Sequence, residues 1–388
     1  MKKCLLSSIS ITPVFKDNNM NIPFVNLSRE ADYFLPLLLQ KTEKVLKSGI
    51  YINGPNVKEL EKKVAIYLNV KYVVSVGNGS DALTFILRSL NLSSSDEIIC
   101  PANSFIATAW SIIASGAKPV FCDVDKNFLL DIDDFKKKVN NNTRAVIPVH
   151  LTGKVFPTEQ ILDFCSAKSI KIIEDAAQSF GAGKNNEYKT GAISDAAAFS
   201  LHPLKNFAIY GDGGLISTND PEIADNCNLL RNHGLKNRDE AKIWGYNSRL
   251  DELQAAYALT KLAEIDNLNN RYIEIAKRYD NGISPIAKKP ELRKEYKDVF
   301  HNYVILVPEI RRNSIMSNLY QKGIETKIHY PIPLHLQECS KNLNYKIGDI
   351  PRCEQYANSM ISLPIYPTLS NEEVDYIIDT LNNELMSI

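Results

Sequence analysis

From about Val57 onward the apolar positions alternate between two periods. In VKELEKKVAIYL they recur every three or four residues, the spacing of one helix face, whereas in YVVSVGN they run almost unbroken, as in a buried strand. SDALTFILRSL and SFIATAWSIIASG repeat the helical pattern, EIICPA and KPVFCDVD the strand pattern. TRAVIPVHL, TEQILDFCSAKS and IKIIEDAAQ add a further strand–helix–strand unit. Short apolar strands separated by helices predict an α/β fold with a mainly parallel sheet covered on both faces. Such sheets bind ligands beyond the carboxyl ends of their strands, which here are followed by Gly77–Asp81, Pro101–Phe105, His150, Asp175–Gln178 and Ser200–Lys205.

After Asp251 the texture changes. DELQAAYALTKLAEIDNLNNRYIEIAKRYDNGI reads as one long helical stretch and as the hinge between two lobes. Beyond it, FHNYVILVPE, SIMSNLYQKGIETKIHYP and NEEVDYIIDTLNNEL predict a strand, a helix followed by a strand, and a closing helix of a smaller α+β lobe. The predicted division is a large domain over 20–262 and a small C-terminal domain over 263–388. The length of 388 residues, 44% of them hydrophobic, suits two packed lobes, because single cores stop growing at about 250–300 residues. No internal repeat or low-complexity linker interrupts the chain.

Charge narrows the partners. Lys plus Arg equals Asp plus Glu at 45 each, so no large field favours nucleic acid or an anionic membrane, and anion recognition has to be local. No apolar run reaches the roughly 18 residues that span a bilayer. The seven cysteines are scattered and form no C-x-x-C pair, which argues against a disulfide framework or a zinc site and for reduced thiols in the cytoplasm. MKKCLLSSISITPVF imitates a signal peptide, but its apolar stretch is short and broken by serines and Pro13. Residues 1–19 therefore read as an extension, with Met20 as a natural start.

Three stretches carry chemistry. GNGSDAL, Gly77 to Leu83, sets two glycines and a serine between a strand and a helix, either as an anion cradle suited to a phosphate or as a plain N-cap through Ser80 or Asp81. It is neither a Walker loop nor a G-x-G-x-x-G fingerprint, which counts against a nicotinamide-dependent oxidoreductase. IIEDAAQSFGA places Asp175 and Gln178 just past a strand, where a carboxylate can cap a helix or face a ligand. FSLHPLKNFAIYGDGGLI holds Lys205 on a loop before Gly211, Gly213 and Gly214, which let the backbone approach a ligand closely. A lysine that forms a Schiff base with an aldehyde, a carboxylate that keeps a pyridine nitrogen protonated, and a phosphate cradle are together what pyridoxal 5'-phosphate requires. Phe105, after PANS, is placed to lie against such a ring.

NGSDAL, PANSFIATA, PVHLTG, EDAAQSFGA, SLHPLKNFAIYGDGG, NSRLDELQAA and HYPIPLHLQ occur in the order and spacing of the DegT/DnrJ/EryC1/StrS sugar-nucleotide aminotransferases, which the chain resembles from about Ile22 to its C-terminus. The resemblance implies the aspartate-aminotransferase-like fold type I of pyridoxal-phosphate enzymes, with a mainly parallel seven-stranded sheet. It also implies a homodimer with active sites at the subunit interface. On it, Lys205 matches the Schiff-base lysine, Asp175 the ring-nitrogen partner, Gln178 the residue near the ring hydroxyl and Phe105 the stacking aromatic. Gly79, Ser80 and Ser200 match the phosphate cradle, and Asn247 the asparagine that reaches the neighbouring subunit's phosphate. His329, Tyr330 and His335 resemble sugar-side residues, while Arg249 is either near that site or part of a structural ion pair.

The implied reaction moves an amino group from L-glutamate to a keto sugar on UDP or dTDP, at C3 rather than C4, for surface polysaccharide or glycoconjugate synthesis. Relatives that replace the lysine with histidine are dehydratases, and Lys205 counts against that branch. Leu201 and Ser248 depart from the usual aromatic and tyrosine, which bears on pocket shape. Two alternatives stay open at this point: another pyridoxal-phosphate activity on a sugar or cyclitol ketone, and a catalytically silent binding protein of the same fold.

Overall fold

The computed structural model describes residues 20–387, so the extension expected at 1–19 lies outside the described residues. Seven strands make the main sheet: β1 (Tyr72–Val76), β2 (Glu97–Pro101), β3 (Lys118–Cys122), β4 (Thr143–Val146), β5 (Lys171–Asp175), β6 (Ala196–Ser200) and β7 (Gly214–Thr218). Their spatial order is β1-β7-β6-β5-β4-β2-β3. Neighbours from β3 through β6 pair in parallel, whereas β7 runs antiparallel to both β1 and β6. The fold is thus α/β with a mainly parallel seven-stranded sheet, and β7 is the single reversal.

The helices, in chain order, are α1 (Leu27–Ser48), α2 (Pro55–Leu68), α3 (Gly79–Ser89), α4 (Ile106–Ser115), α5 (Ile132–Lys138), α6 (Leu162–Ala167), α7 (Pro221–Arg231), α8 (Glu252–Leu262), α9 (Ile265–Gly282), α10 (Glu309–Gln321), α11 (Pro351–Ser359) and α12 (Asn371–Met386). Strand residues alternate between the two faces of the sheet. Val74, Ile98, Ile173 and Ile216 pack with α3, α4 and α7 on one side. Val73 and Leu215 meet α2 and α8 on the other, where Ile99 and Ile172 pack with Phe135 of α5 and Cys165 of α6. Burial on both faces is why these strands read as continuous apolar runs.

The C-terminal lobe is built on β8 (Tyr303–Leu306) and β9 (Met360–Leu363), an antiparallel pair. Tyr272 and Tyr279 of α9, Leu319 of α10 and Ile377 of α12 enclose Ile305 and Ile361 in its core. The first described residues join this lobe: Ile22 is in that core and its amide donates to the Gly323 carbonyl at 2.7 Å.

Three features differ from the sequence pattern. α1 precedes the first element the pattern resolves. The long helical stretch after Asp251 is two helices, broken at Ala263–Glu264. The strand expected within SIMSNLYQKGIETKIHYP forms no ladder, only the isolated bridges Ile22↔Ile324 and Lys327↔Ser362.

One contact between helices fixes the start of the helix that leads into β1. Gly54, at the N-cap of α2, supplies no side chain, and Glu252 of α8 caps the helix in its place. Its carboxylate accepts from the Asn56 amide at 3.0 Å and the Val57 amide at 2.9 Å while only 1% exposed. The negative charge also suits the positive end of the helix dipole. Glu252→Ala leaves both amides unpaired in a buried place, and the expected loss is about 3 kcal/mol. Urea unfolding checks this: the midpoint falls, and an unchanged midpoint would show that α2 is capped by something else.

Candidate active site

The reversal of β7 brings three strand ends together. Gly214 pairs with Val76 of β1 on one side and Ser200 of β6 on the other, so the first residues of β7 lie beside the carboxyl ends of two parallel strands. α3 starts immediately after β1, and its cap is Asn78, whose Oδ1 accepts from the Asp81 amide at 2.8 Å. Neither Ser80 nor Asp81 is the cap, which frees the Ser80 hydroxyl. The amides of Gly79 and Ser80 open the helix without intrahelical partners. A Cβ on Gly214 would lie 2.3 Å from the Asn78 carbonyl oxygen, and one on Gly79 would lie 2.8 Å from Ser200 Cβ. The glycines thus permit a backbone cradle of amides and the hydroxyls of Ser80 and Ser200, which fits a phosphate.

A cleft of about 340 Å³ opens beside this cradle, lined by Gly77, Asn78, Asp81, Asn247, Ser248 and Arg249 among others. Ser248 ties its two walls together: its hydroxyl accepts from the Gly77 amide at 2.9 Å and donates to Asp81 Oδ2 at 2.6 Å. Asn247 is exposed at the rim. The Arg249 guanidinium donates to Asn232 Oδ1 at 3.0 Å and makes no ion pair among the described residues.

Asp175 ends β5, 6% exposed, next to β6 in parallel register with Ala198. Its Oδ2 accepts from Thr108 Oγ1 at 2.6 Å and its Oδ1 from the Ala177 amide at 3.2 Å. Lys205 lies on the turn after β6, where its own amide bonds to the His202 carbonyl at 2.8 Å. Its amine makes no hydrogen bond or ion pair among the described residues. Burial lowers this amine to about 8, against an opposing pull from the Asp175 charge. Gln178 is held from both ends: Oε1 accepts from the Thr152 amide at 2.7 Å, and Nε2 donates to the Tyr330 hydroxyl at 3.4 Å. Phe105, at the start of α4 and 54% exposed, has its ring 6.0 Å from that of Tyr330.

The C-terminal lobe contributes His329 and Tyr330, and burial raises the Tyr330 hydroxyl above its ordinary range. His329 Nδ1 is 2.9 Å from Ser362 Oγ, and burial, with Lys205 next, lowers the imidazole to about 4. His335 stands apart from these groups. Its Nε2 is 3.0 Å from Glu354 Oε1, and Phe121 and Tyr345 pack around its ring, so the second histidine of HYPIPLHLQ supports the core. His150 is likewise fully buried, its Nε2 3.2 Å from Glu174 Oε2.

The motifs did not single out His301. Burial holds its imidazole well below its ordinary value, with Lys205, His329 and His202 as the charges it feels. It follows the left-handed Phe300, against the Gly153 backbone, and no local pattern signals that placement. Thr108 and Ser104 were also missed, although their i, i+4 spacing after a strand end was visible.

A buried carboxylate, an unpartnered amine and a phosphate cradle on this sheet are the parts of a pyridoxal-phosphate-dependent aminotransferase of fold type I. The profile of the DegT/DnrJ/EryC1/StrS aminotransferase family matches residues 37–382, and the chain belongs to that family. It is 39% identical over 363 residues to the dTDP-3-amino-3,6-dideoxy-alpha-D-galactopyranose transaminase of Aneurinibacillus thermoaerophilus, covering 93% of this chain and 99% of that one. The structure of DesV from S. venezuelae in complex with a ketimine intermediate aligns with a TM-score of 0.92 at 33% identity, over 95% of this chain and 99% of that one. NtdA from Bacillus subtilis, with its cofactor PMP bound, aligns with a TM-score of 0.89 at 29% identity, over 96% and 87% of the two chains.

The lowered amine of Lys205 has a measurable sign. Folding holds it at about 8, below its ordinary 10.5, so the unfolded chain binds the extra proton between those values. This group's contribution to stability is therefore present above pH 10.5 and is lost as pH falls through about 8. In the cofactor-free protein, acylation of Lys205, followed by peptide mass mapping, should show a midpoint near pH 8, whereas exposed lysines titrate near about 10.4. Asp175→Asn removes the charge that raises the amine and should move the midpoint lower. A Lys205 midpoint equal to that of exposed lysines would contradict the burial seen here.

Proposed function

We propose that this aminotransferase moves the amino group of L-glutamate to a keto sugar carried on dTDP or UDP, with amination at C3 favoured over C4, and so supplies an amino sugar for polysaccharide or glycoconjugate synthesis. The observation that carries the catalytic part is the buried Asp175 carboxylate within electrostatic reach of the unpartnered Lys205 amine, on the same sheet as the Gly79–Gly214 cradle. The 3-amino-sugar named for the relative from A. thermoaerophilus supports the substrate class and the position of amination.

Gly79, Ser80 and Ser200 would hold the cofactor's phosphate, Asp175 the proton on its ring nitrogen, Gln178 its ring hydroxyl, and Phe105 the ring face. When bound there, pyridoxal phosphate supplies an electrophilic carbon for an amine and an electron sink for the bond that breaks. Lys205 would hold the aldehyde carbon through Nζ, because near neutrality a useful fraction of an amine held at about 8 is unprotonated. The same Nζ, when free, would take the proton from the donor's Cα and would return one to the sugar carbon. His329 and His301 are neutral imidazoles in this range, so they offer hydrogen bonds to sugar hydroxyls without adding positive charge near Lys205. Arg249 provides the cation facing an anionic part of the substrate.

We place the division of the chain into its two lobes at the α8–α9 break, with the site between them. We also infer a homodimer that shares its sites. Large apolar side chains stand in solvent, among them Tyr51, Trp110, Ile113 and the 98% exposed Trp244, which a monomer would leave uncovered. Asn247, at the rim of the cleft, would reach the partner's phosphate. The cytoplasm suits the six cysteines of the described residues, all of them free.

Mass spectrometry after incubation with glutamate and a panel of dTDP- and UDP-linked 3-keto and 4-keto sugars tests the assignment. An amino sugar from a 3-keto substrate is expected, and conversion of 4-keto substrates alone would overturn the preference. Lys205→Ala should lower turnover at least about a thousandfold and abolish the visible chromophore. Lys205→Arg should fail as well, because a guanidinium stays protonated.

Subunit exchange tests the shared site. Mixing a Lys205→Ala chain with an inactive Asn247→Asp chain, differently tagged, should restore activity, because some mixed dimers carry one intact site. Exchanged mixtures without recovery would put Asn247 in its own subunit's site or outside it.

A further inference from the structure

Helical threonines in this chain commonly turn their hydroxyls back onto their own helix. Thr42, Thr84 and Thr260 each donate to the carbonyl four residues earlier, at 2.8, 2.8 and 3.1 Å. This is the ordinary use of a threonine hydroxyl in a helix. Thr108, in the first turn of α4, does otherwise. Its Oγ1 lies 2.6 Å from Asp175 Oδ2 and 2.7 Å from Ser104 Oγ, and all three residues are buried, Thr108 fully.

The direction of the protons in this chain of hydroxyls follows from the acceptor at its end. An ionised carboxylate can only accept, so Thr108 donates to Asp175. Having spent its one proton, Thr108 must accept from Ser104. The order is Ser104 to Thr108 to Asp175, with each donation polarising the next bond. Hydrogen bonds to a charged acceptor are about twice as strong as those between neutral groups.

We propose that Thr108, backed by Ser104, is a positioning residue for the amino transfer: it fixes the Asp175 carboxylate and withdraws part of its negative charge, so that the proton shared with the cofactor's ring nitrogen stays on the ring. This rests on the reading of Asp175 as the ring-nitrogen partner. Without the Thr108 hydroxyl, Oδ2 loses its side-chain donor and the carboxylate is free to turn about its side-chain torsion. It then holds more charge, and the proton moves toward it and away from the ring. The ring becomes a weaker electron sink although every group touching the cofactor is still present.

The test uses the full-length protein loaded with pyridoxal phosphate carrying ¹⁵N at the ring nitrogen, whose chemical shift reports ring protonation. Cofactor affinity is measured alongside by equilibrium dialysis. Thr108→Val, nearly the same shape, should move the ¹⁵N shift toward that of an unprotonated pyridine and weaken cofactor binding about tenfold. Thr108→Ser, which restores the hydroxyl, should return the shift and bring affinity to within about threefold of the parent. In an Asp175→Asn background, Thr108→Val should change neither quantity, because the residue acts through Asp175.

An unchanged shift and affinity in Thr108→Val, with Asp175→Asn altering both, would overturn the proposal and leave the role of Asp175 standing. An equal loss of affinity in both backgrounds would also overturn it, since Thr108 would then be a packing residue. Failure of Asp175→Asn to alter the ¹⁵N shift would instead overturn the reading of Asp175. Should Thr108→Val not fold, Ser104→Ala gives the same test: a smaller displacement in the same direction is expected, lost in the Asp175→Asn background, and no displacement overturns the relay.

Discussion

A carboxylate buried at the end of a strand is the constraint around which this molecule is arranged. Removing an ionised acid from water costs several kcal/mol unless donors and charges replace the lost hydration. Asp175 receives them from three directions. α4 delivers the Thr108 hydroxyl, the chain past β5 delivers the Ala177 amide, and the turn after β6 brings the Lys205 amine within electrostatic reach. The parallel register that sets Asp175 opposite Ala198 makes the last of these possible, because it fixes where β6 ends and its turn begins. The Lys205 amine itself has no hydrogen bond or ion pair among the described residues.

The same logic extends outward. The cradle proposed for an anion depends on one antiparallel strand, β7, inserted between β1 and β6. This requires two backbones to approach more closely than any side chain permits, hence glycine at 79 and 214. Gln178 links the pieces from the side. Held by the Thr152 amide and reaching Tyr330, it joins the loop after β4 to the segment that follows α10.

Much of this was legible in the chain because local period and strand-end position are local properties. The alternation after Val57 names the strands and helices, and Asp175 and Ser200 end strands, with Gln178 and Lys205 just beyond, by simple counting. What escaped the pattern depends on distant partners. α1 buries Phe34, Leu38 and Val45 but also carries Leu35, Leu37 and Leu39 exposed, so apolar positions lie all round the helix and blur its buried face. The break at Ala263–Glu264 has no proline or glycine to announce it. His335 and His329 share one motif, yet Glu354 from α11 draws the first into the core, while the second lies near Lys205. Thr108 looks like any helical threonine until Asp175 is placed beside it.

Among the described residues, burial holds two lysine amines down to about 8, those of Lys205 and Lys154. They differ in what the amine meets. Lys154 Nζ is spent on Asn127 Oδ1 at 2.8 Å and on the Glu291 carbonyl at 2.9 Å, a structural tie, whereas Lys205 Nζ has no partner among the described residues. Borohydride reduction of the protein loaded with pyridoxal phosphate, followed by digestion and peptide mass mapping, distinguishes the two directly. The account predicts a single pyridoxyl group per chain, on the peptide that contains Lys205. A label on Lys154, or one spread over surface lysines with Lys205 unmodified, would contradict it.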